Sequence, residues 1–231
     1  MIQNSVKGIK VALFDMDGLL IDSEKVYRDC WIQAAQELGY AFDEKKALTL
    51  RSLDKTLANA LFIDWFSDET AYERVKARRK EIMNEKISQE PLQGKTGVRS
   101  LIGELEKRGI KSAVVTASPQ KRARMHLGSV GLSGLFETII TTEDVKRGKP
   151  FPDVYLYAMG KLGVKPENCL AFEDSPNGVK SAHEAGCQTV MIPDLTPFTE
   201  ELMPYVDYVY DSLADLAAEL QQGLPKRKIT D

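Results

Sequence analysis

Short apolar runs separated by longer amphipathic segments are the feature that most restricts how this chain can fold. The runs lie at residues 9–14, 111–115, 138–141, 169–172 and 189–192, and an alternating run at 205–210 predicts an additional edge strand. Helical spacing of apolar residues follows each of the first four main runs. Strands that alternate with helices in this way pair in parallel and are covered on both faces. The sequence therefore predicts an α/β fold with a parallel sheet.

One long stretch interrupts this alternation. Residues 24–91 show helical periodicity with many charges and no convincing strand, most clearly at 24–38 and 70–87. The sheet pattern resumes near Gly97, and Gly94 and Gly97 are predicted turn or hinge positions. We therefore predict a catalytic core formed by residues 1–23 and 92–231, with an inserted helical cap at residues 24–91.

Composition limits the partners and the compartment. The chain has 231 residues and a formal net charge of −3, which disfavours a broad nucleic-acid-binding surface. No apolar run approaches the ~20 residues of a membrane span. The three cysteines lack CxxC spacing. We therefore predict that they are buried as small hydrophobic residues and that they neither bind a metal nor form disulfides. We expect a cytoplasmic monomer with no nucleic-acid or membrane partner.

Charged and hydroxyl side chains lie at or near the ends of the predicted strands. They are Asp15 and Asp17 after the first strand, Thr116 after the second, Glu173 and Asp174 after the fourth, and Lys149 before the fourth. Ligands of open parallel sheets bind beyond the carboxyl ends of the strands, so these groups are predicted to share one rim. Crowded carboxylates without histidine favour a hard cation, and Mg²⁺ is the usual one where phosphate is bound.

The same residues can divide the work of phosphoryl transfer. Of Asp15 and Asp17, one can attack phosphorus while the other exchanges protons with the leaving oxygen and with water. Lys149 adds a positive charge, and Thr116 a hydrogen-bond donor. Each residue alone also fits a plain alternative, such as a helix N-cap for Thr116 or a surface charge for Lys149. Their common position favours the functional interpretation.

Four stretches carry a resemblance to a known family. They are FDMDGLLIDSE at 14–24, VVTAS at 114–118, GKPFPDVY at 148–155 and FEDSPNGVKSAHEAG at 172–186. In them the chain resembles the haloacid dehalogenase superfamily of phosphatases, in particular the branch with β-phosphoglucomutase and sugar-phosphate phosphatases. The resemblance implies a Rossmann-like core with a small four-helix cap.

The resemblance also implies an activity and residue roles. The chain would be a Mg²⁺-dependent phosphatase that hydrolyses a small phosphorylated metabolite, a sugar or polyol phosphate, through an aspartyl-phosphate intermediate. Asp15 would be the nucleophile, and Asp17 the general acid/base with its backbone carbonyl facing the metal. The catalytic set would be Asp15, Asp17, Thr116 and Lys149, and the metal set Asp15, Asp17, Asp174 and Glu173.

Other functions share part of this pattern. A phosphomutase of the β-phosphoglucomutase type would carry every motif, but Tyr27 stands where those enzymes have a cap histidine, and Pro119 where they have a phosphate-contacting lysine. A phosphoreceiver would carry its phosphorylated aspartate after a middle strand, where this chain has Thr141 and Thr142. A non-catalytic phospho-ligand binding protein would not need the complete catalytic set.

The sequence says least about the residues that select the substrate. Trp31, Trp65 and Phe66 are predicted to be cap core, and the basic run at 76–80 is predicted to be a solvated helix face. Contact of the substrate with this run or with Arg51 is the less favoured alternative. His126, in a basic helix, is predicted to lie at the surface.

Overall fold

Six parallel strands form one sheet in the computed structural model, which describes residues 8–222. The strands are β1 (Val11–Phe14), β2 (Lys111–Thr116), β3 (Thr138–Thr141), β4 (Cys169–Glu173), β5 (Gln188–Met191) and β6 (Tyr208–Val209), in the spatial order β3-β2-β1-β4-β5-β6. This Rossmann-like order confirms the predicted α/β fold. The outer parts of the predicted core, residues 1–7 and 223–231, lie outside the described residues.

Helices cover both faces of the sheet. They are α5 (Val98–Glu106), α6 (Gln120–Ser129), α7 (Asp153–Leu162), α8 (Pro176–Glu184) and α9 (Leu213–Gln222). Ala12 and Phe14 of β1 belong to a hydrophobic cluster with α5, α6 and α9, while Val11 and Leu13 belong to a cluster with α7 and α8. Successive side chains of a strand point to opposite faces, so burial on both faces requires the continuous apolar runs seen in the sequence.

Residues 24–91, which we call the helical insertion, contain four helices. They are α1 (Glu24–Glu37), α2 (Glu44–Thr49), α3 (Lys55–Phe66) and α4 (Ala71–Gln89). They enclose a hydrophobic cluster of their own, in which the rings of Trp31 and Phe62 lie 5.9 Å apart, and Trp65 and Phe66 pack against this cluster. The predicted helical content and cap-core residues are confirmed. The division into two domains at residues 24 and 91 stays a prediction.

The chain enters and leaves the helical insertion through two adjacent segments. The Asp22 N–H donates to the Gln93 carbonyl at 2.9 Å, and the Lys95 N–H donates to the Leu20 carbonyl at 2.9 Å. Gly97 follows with a φ of 90°, and a Cβ there would overlap the backbone of Ala214. Gly97 therefore makes a tightly packed turn before α5, and the packing leaves little room for a hinge at this position.

Three smaller predictions have mixed outcomes. The edge strand predicted at 205–210 exists but spans only Tyr208–Val209, and a 3-10 turn at Glu200–Tyr205 precedes it. The three cysteines are buried, as predicted, and they are free. Among residues 8–222, no helix combines the length and apolar character needed to cross a lipid bilayer.

Candidate active site

The candidate site is built on the carboxyl ends of the three central strands. Asp15 follows β1 and its N–H donates to the Phe172 carbonyl of β4 at 2.9 Å. Thr116 is the last residue of β2, and Glu173 is the last residue of β4. Because β1 pairs with both β2 and β4, the ends of these strands are neighbours. Strand register thus brings Asp15, Thr116, Glu173 and Asp174 to one rim, as the sequence predicts.

Lys149 lies beneath this rim with no solvent exposure. Its Nζ atom donates to Asp15 Oδ1 at 2.6 Å, to Glu173 Oε1 at 2.6 Å and to the Val115 carbonyl at 3.1 Å. Burial disfavours the ammonium ion, but the two carboxylates outweigh it and raise the pKa of Lys149. A buried charge is tolerated when it is paired and hydrogen-bonded in this way. Lys149 is therefore a fixed positive charge next to Asp15.

Three buried carboxylates form an acidic cluster above Lys149. Asp15, Glu173 and Asp174 each offer an oxygen, and these oxygens lie within 4.8 Å of one another. Burial is the main cause that raises the pKa of Asp15, to about 8, and Glu173 raises it further while Lys149 opposes the shift. Burial also raises the pKa of Asp174, with Arg51 opposing. Such crowding of anionic groups is relieved when a cation binds.

The acidic cluster fits a hard divalent cation. Asp15 Oδ2, Asp174 Oδ1 and Glu173 Oε2 are buried and have no hydrogen-bond partner among the described residues. A Cβ at Gly18 would overlap the Asp174 carboxylate, and one at Gly178 would overlap that of Glu173. Two glycines thus let the backbone approach the carboxylates closely. Oxygen donors alone, with free lone pairs in a fixed cradle, are the donor set that Mg²⁺ and similar cations prefer.

Asp17 lies apart from the acidic cluster. Its carboxylate accepts from the Ser23 hydroxyl at 2.8 Å and from the Ser118 hydroxyl at 2.7 Å. The hydroxyl of Thr116 accepts from the Ser118 N–H at 3.0 Å, so the two strand-end residues of the VVTAS stretch are themselves linked. The structure thus brings the Asp17 side chain to the rim but not into the acidic cluster, and the implied contact of its backbone carbonyl with a metal stays a prediction.

Two residues of the helical insertion reach the rim. Arg51 is buried and contacts the Asp174 carboxylate, and its Nε atom lies 3.2 Å from Glu24 Oε2. Burial raises the pKa of Glu24 to about 7, with Arg51 opposing the shift. Asp54 accepts from the Gly148 N–H at 2.6 Å, and the Asp54 N–H donates to the Lys149 carbonyl at 2.7 Å. The insertion is therefore bonded to both the acidic cluster and the segment that carries Lys149.

The comparisons with known proteins give the family. The sequence model of the haloacid dehalogenase-like hydrolase family matches residues 12–192, a span that contains every motif described above. The chain belongs to the haloacid dehalogenase-like hydrolases. Hexitol phosphatase A of Escherichia coli is 34% identical over 218 residues, which cover 90% of this chain and 94% of that protein. A probable pseudouridine-5'-phosphatase of Drosophila melanogaster is 32% identical over 221 residues, with 92% and 93% covered.

Solved structures confirm the fold of this haloacid dehalogenase-like hydrolase. A putative β-phosphoglucomutase from Bacteroides vulgatus superposes with a TM-score of 0.79 at 24% identity and covers 97% of each chain. At that identity the likeness speaks for the fold alone. Together with the relatives named as phosphatases, the family match confirms the predicted resemblance. It also confirms an enzyme of a hydrolase family whose named relatives are phosphatases.

A cavity of about 1000 Å³ lies between the rim and the helical insertion of this hydrolase. Asp15, Asp17 and Thr116 lie at one part of its wall, and Lys76, Arg79 and Lys80 of α4 at another. Lys80 is exposed and Lys76 is half-buried, so the prediction that the basic run at 76–80 is a solvated face is wrong for Arg79. Arg79 is 7% exposed and shares the buried side of α4 with Val75, Ile82 and Met83.

Sequence reasoning missed the roles of Arg79 and Ser118 at the site, although each left a signal, and it misplaced His126. Arg79 interrupts an apolar stripe with helical spacing, which is unusual for a solvated arginine. Ser118 lies two residues after Thr116 in the VVTAS stretch. His126 is buried at 2% exposure, so its predicted surface position is wrong. It is one of the buried residues of α6, with Ala123 and Leu127, and burial lowers its pKa.

Proposed function

We propose that this hydrolase is a Mg²⁺-dependent phosphatase that releases inorganic phosphate from a small sugar or polyol phosphate through an aspartyl-phosphate on Asp15. One observation carries the proposal. Asp15 Oδ2 is buried at the floor of a cavity with no hydrogen-bond partner in the described part of the chain, while Oδ1 is fixed by Lys149. A carboxylate held through one oxygen and unengaged at the other is arranged for nucleophilic attack.

The acidic cluster supplies the metal site in this proposal. Asp15 and Asp174 would hold Mg²⁺ directly, Glu173 would assist, and the backbone carbonyl of Asp17 would face the ion. When bound, the cation neutralises phosphoryl oxygens and lets an anionic carboxylate approach them. Arg51 contacts Asp174 on one oxygen only, so the other stays available.

The protein's own residues account for both halves of the reaction. In the first, an oxygen of Asp15 forms a bond to phosphorus as the bond to the substrate oxygen breaks, and Asp17 donates a proton to that leaving oxygen. In the second, a water molecule attacks phosphorus, Asp17 accepts its proton, and the bond to Asp15 breaks to release phosphate. Lys149 and Thr116 hold the phosphoryl group through both steps, and the positive charge of Lys149 offsets the negative charge of the phosphoryl oxygens.

The position of Asp17 supports its role as the acid/base. Ser23 and Ser118 hold both of its oxygens, so its orientation is fixed without help from another titratable residue. In the mutases that the sequence resembles, a cap histidine has this function, and Tyr27 stands at its place. The Asp17 carboxylate makes no hydrogen bond to Tyr27 among the contacts of the described residues. This arrangement favours hydrolysis over the mutase alternative.

The substrate class follows from the relatives and from the cavity. The relatives include a hexitol phosphatase, a probable pseudouridine-5'-phosphatase and a phosphatase of phosphorylated carbohydrates from Thermotoga maritima. All three names describe a phosphate on a polyhydroxylated carbon skeleton. A cavity of about 1000 Å³ suits a ligand of that size.

A phosphate-release assay tests the proposal. Purified protein is incubated with Mg²⁺ and each of a panel of hexitol, hexose and nucleoside monophosphates, with Asp15→Asn protein prepared in parallel as the control. We expect phosphate release from at least one polyol or sugar phosphate and none above background from the variant. Release from no phosphate ester, or equal release by Asp15→Asn protein, would contradict the proposal.

The mutase alternative is tested separately with β-glucose 1-phosphate. A phosphatase releases inorganic phosphate from it, if it accepts it, without any bisphosphate activator. A mutase converts it to glucose 6-phosphate faster than phosphate appears. Measurement of both products in the same reaction decides between the two activities.

A further inference from the structure

The far wall of the cavity carries a buried arginine that no acidic group neutralises. Arg79 has no ion pair and no hydrogen bond among residues 8–222, and its Nε atom is buried without a partner. Its guanidinium lies 4.7 Å from the ring centroid of Trp31 and 5.2 Å from that of Tyr27. Burial lowers the pKa of Arg79, which reflects the cost of holding this charge away from water. Rings attract a cation but do not neutralise it.

A second arginine lies against the same tyrosine. The Arg122 guanidinium is 5.5 Å from the Tyr27 ring centroid, and its Nε atom is also buried without a hydrogen-bond partner in the part of the chain that the structure describes. Its charge further lowers the pKa of Arg79. The Tyr27 hydroxyl lies beside Ser118, and burial raises its pKa, so it stays protonated. Two like charges and a hydroxyl donor thus meet at one place.

The acidic groups around the cavity are already engaged elsewhere. Asp15 binds Lys149, Asp17 binds two serines, Glu24 pairs with Arg51, Asp54 binds Gly148, Glu73 lies 3.3 Å from Lys76, and Glu143 accepts from the Gln120 N–H. None of these bonds is to Arg79 or Arg122. The positive charge at the far wall is therefore left for a molecule that enters the cavity.

The position of this charge relative to Asp17 decides which part of the substrate it meets. Arg122 Nη2 donates to the Ser118 hydroxyl at 3.2 Å, and the same hydroxyl donates to Asp17 at 2.7 Å. In the proposed function, Asp17 protonates the oxygen that joins phosphate to the carbon skeleton. The skeleton must then extend from Asp17 into the cavity, toward Arg122 and Arg79.

We propose that Arg79 and Arg122 bind a second anionic group of the substrate, a carboxylate or a second phosphate, at the end remote from the phosphate that is hydrolysed. This inference rests on the proposed function, because it places the reacting phosphate at Asp15. A carboxylate or phosphate accepts several N–H bonds from guanidinium groups in fixed geometry, which a neutral hydroxymethyl group does not match. The preferred substrate is then a phosphorylated sugar acid or a bisphosphate, and a neutral polyol phosphate is a poorer one.

A matched pair of substrates tests this directly. Sorbitol 6-phosphate and 6-phosphogluconate have the same carbon chain and differ only in a hydroxymethyl or carboxylate group at the far end. Fructose 6-phosphate and fructose 1,6-bisphosphate make the same comparison for a second phosphate. The quantity measured is the ratio of kcat/KM, anionic over neutral, for wild-type protein, Arg79→Gln and Arg78→Gln. Arg78 is the control, because it is adjacent on α4 but pairs with Glu37 and Glu81 outside the cavity.

We expect wild-type protein to favour at least one anionic member, and Arg79→Gln to lower the ratio for that pair by about 10- to 100-fold, the value of a charge-assisted hydrogen bond. Arg78→Gln should leave the ratio unchanged. Calorimetric titration of both pairs into Asp15→Asn protein checks binding without turnover, and Arg79→Gln in that background should weaken the anionic member selectively. If the preference appears with 6-phosphogluconate, the second anionic group is a carboxylate, and if it appears with fructose 1,6-bisphosphate, it is a phosphate.

The failures of the two proposals are distinguishable. If the wild-type protein hydrolyses these esters but prefers neither anionic member, or if Arg79→Gln lowers both members of a pair equally, the second anionic site is refuted and the phosphatase stands. If no ester is hydrolysed while Asp15→Asn protein still binds the anionic members selectively, the phosphatase is refuted and the site stands.

Discussion

Asp54 offers a quantitative test of how the helical insertion is held to the rim that carries the candidate active site. Its carboxylate makes two bonds to main-chain donors, one to Thr56 at 2.8 Å at the start of α3 and one to Gly148 at 2.6 Å across the chain. Although burial raises the pKa of Asp54, the N–H groups of Gly148, Thr56 and Leu57 hold it below its ordinary value. The side chain is therefore an anionic acceptor at the pH of the assay, and truncation removes both bonds.

The two bonds can be separated by substitution. Asp54→Ala removes the N-cap, worth about 1 kcal/mol, and the charge-assisted bond to Gly148, worth about 1.5–3 kcal/mol, so the free energy of unfolding should fall by about 2.5–4 kcal/mol. Serine is a good N-cap but is too short to reach Gly148. Asp54→Ser should therefore lose only the second contribution, about 1.5–3 kcal/mol. Both variants should still fold, since domains are stable by about 5–15 kcal/mol.

Urea denaturation followed by circular dichroism measures these losses, and amide hydrogen exchange at Gly148 reports the bond itself. Exchange at Gly148 should accelerate in both variants, and kcat/KM should fall by about 10-fold because the Lys149 segment loses one of its two ties. The Asp54 N–H bond to the Lys149 carbonyl is a backbone contact and survives. If Asp54→Ser is as stable as wild type and Gly148 exchanges at the wild-type rate, the tie has no energetic role and the reasoning fails.

Three further outcomes are expected. Chelation with EDTA should abolish phosphate release and Mg²⁺ should restore it; full activity of chelator-treated, metal-free protein would contradict a role for the acidic cluster. Asp15→Asn should lower kcat by about 10⁴-fold or more with an unchanged circular dichroism spectrum, and retained turnover would remove Asp15 from the mechanism. Lys107 and Arg108 lower the pKa of Glu104 to about 2, so the stability that Glu104→Gln loses should be present above the ordinary value of 4.5 and vanish as the pH falls toward 2; a difference in urea stability that persists at pH 2 would contradict this pairing.

The parts of the fold that sequence predicted well depend on local pattern. The strands β1 to β5 are nearly continuous apolar runs because both of their faces are buried, and this pattern needs no knowledge of distant residues. Asp15, Thr116 and Glu173 could be assigned to one rim for a related reason. A strand end is visible in the sequence, and parallel pairing brings the carboxyl ends together.

The parts that were missed depend on contacts between distant segments. Asp54 and Gly148 are 94 positions apart, and Arg51 and Asp174 are 123 apart, so no spacing rule connects them. Arg79 shows a subtler limit. Its position in the apolar stripe of α4 indicates burial, but a single sequence does not say whether a buried arginine meets a carboxylate, a ring or a cavity.

The two adjacent segments through which the chain enters and leaves the helical insertion have an evolutionary consequence. Asp22 and Gln93 are hydrogen-bonded neighbours. A turn as short as those that join two β-strands could therefore replace the entire insertion without moving either end of the core. Exchange of the insertion would remove the contacts of Arg51 and Asp54, but it would leave the core strands and the residues at their carboxyl ends in place. In such an architecture a new substrate preference can arise from a new insertion, without any change to the residues at the ends of the core strands.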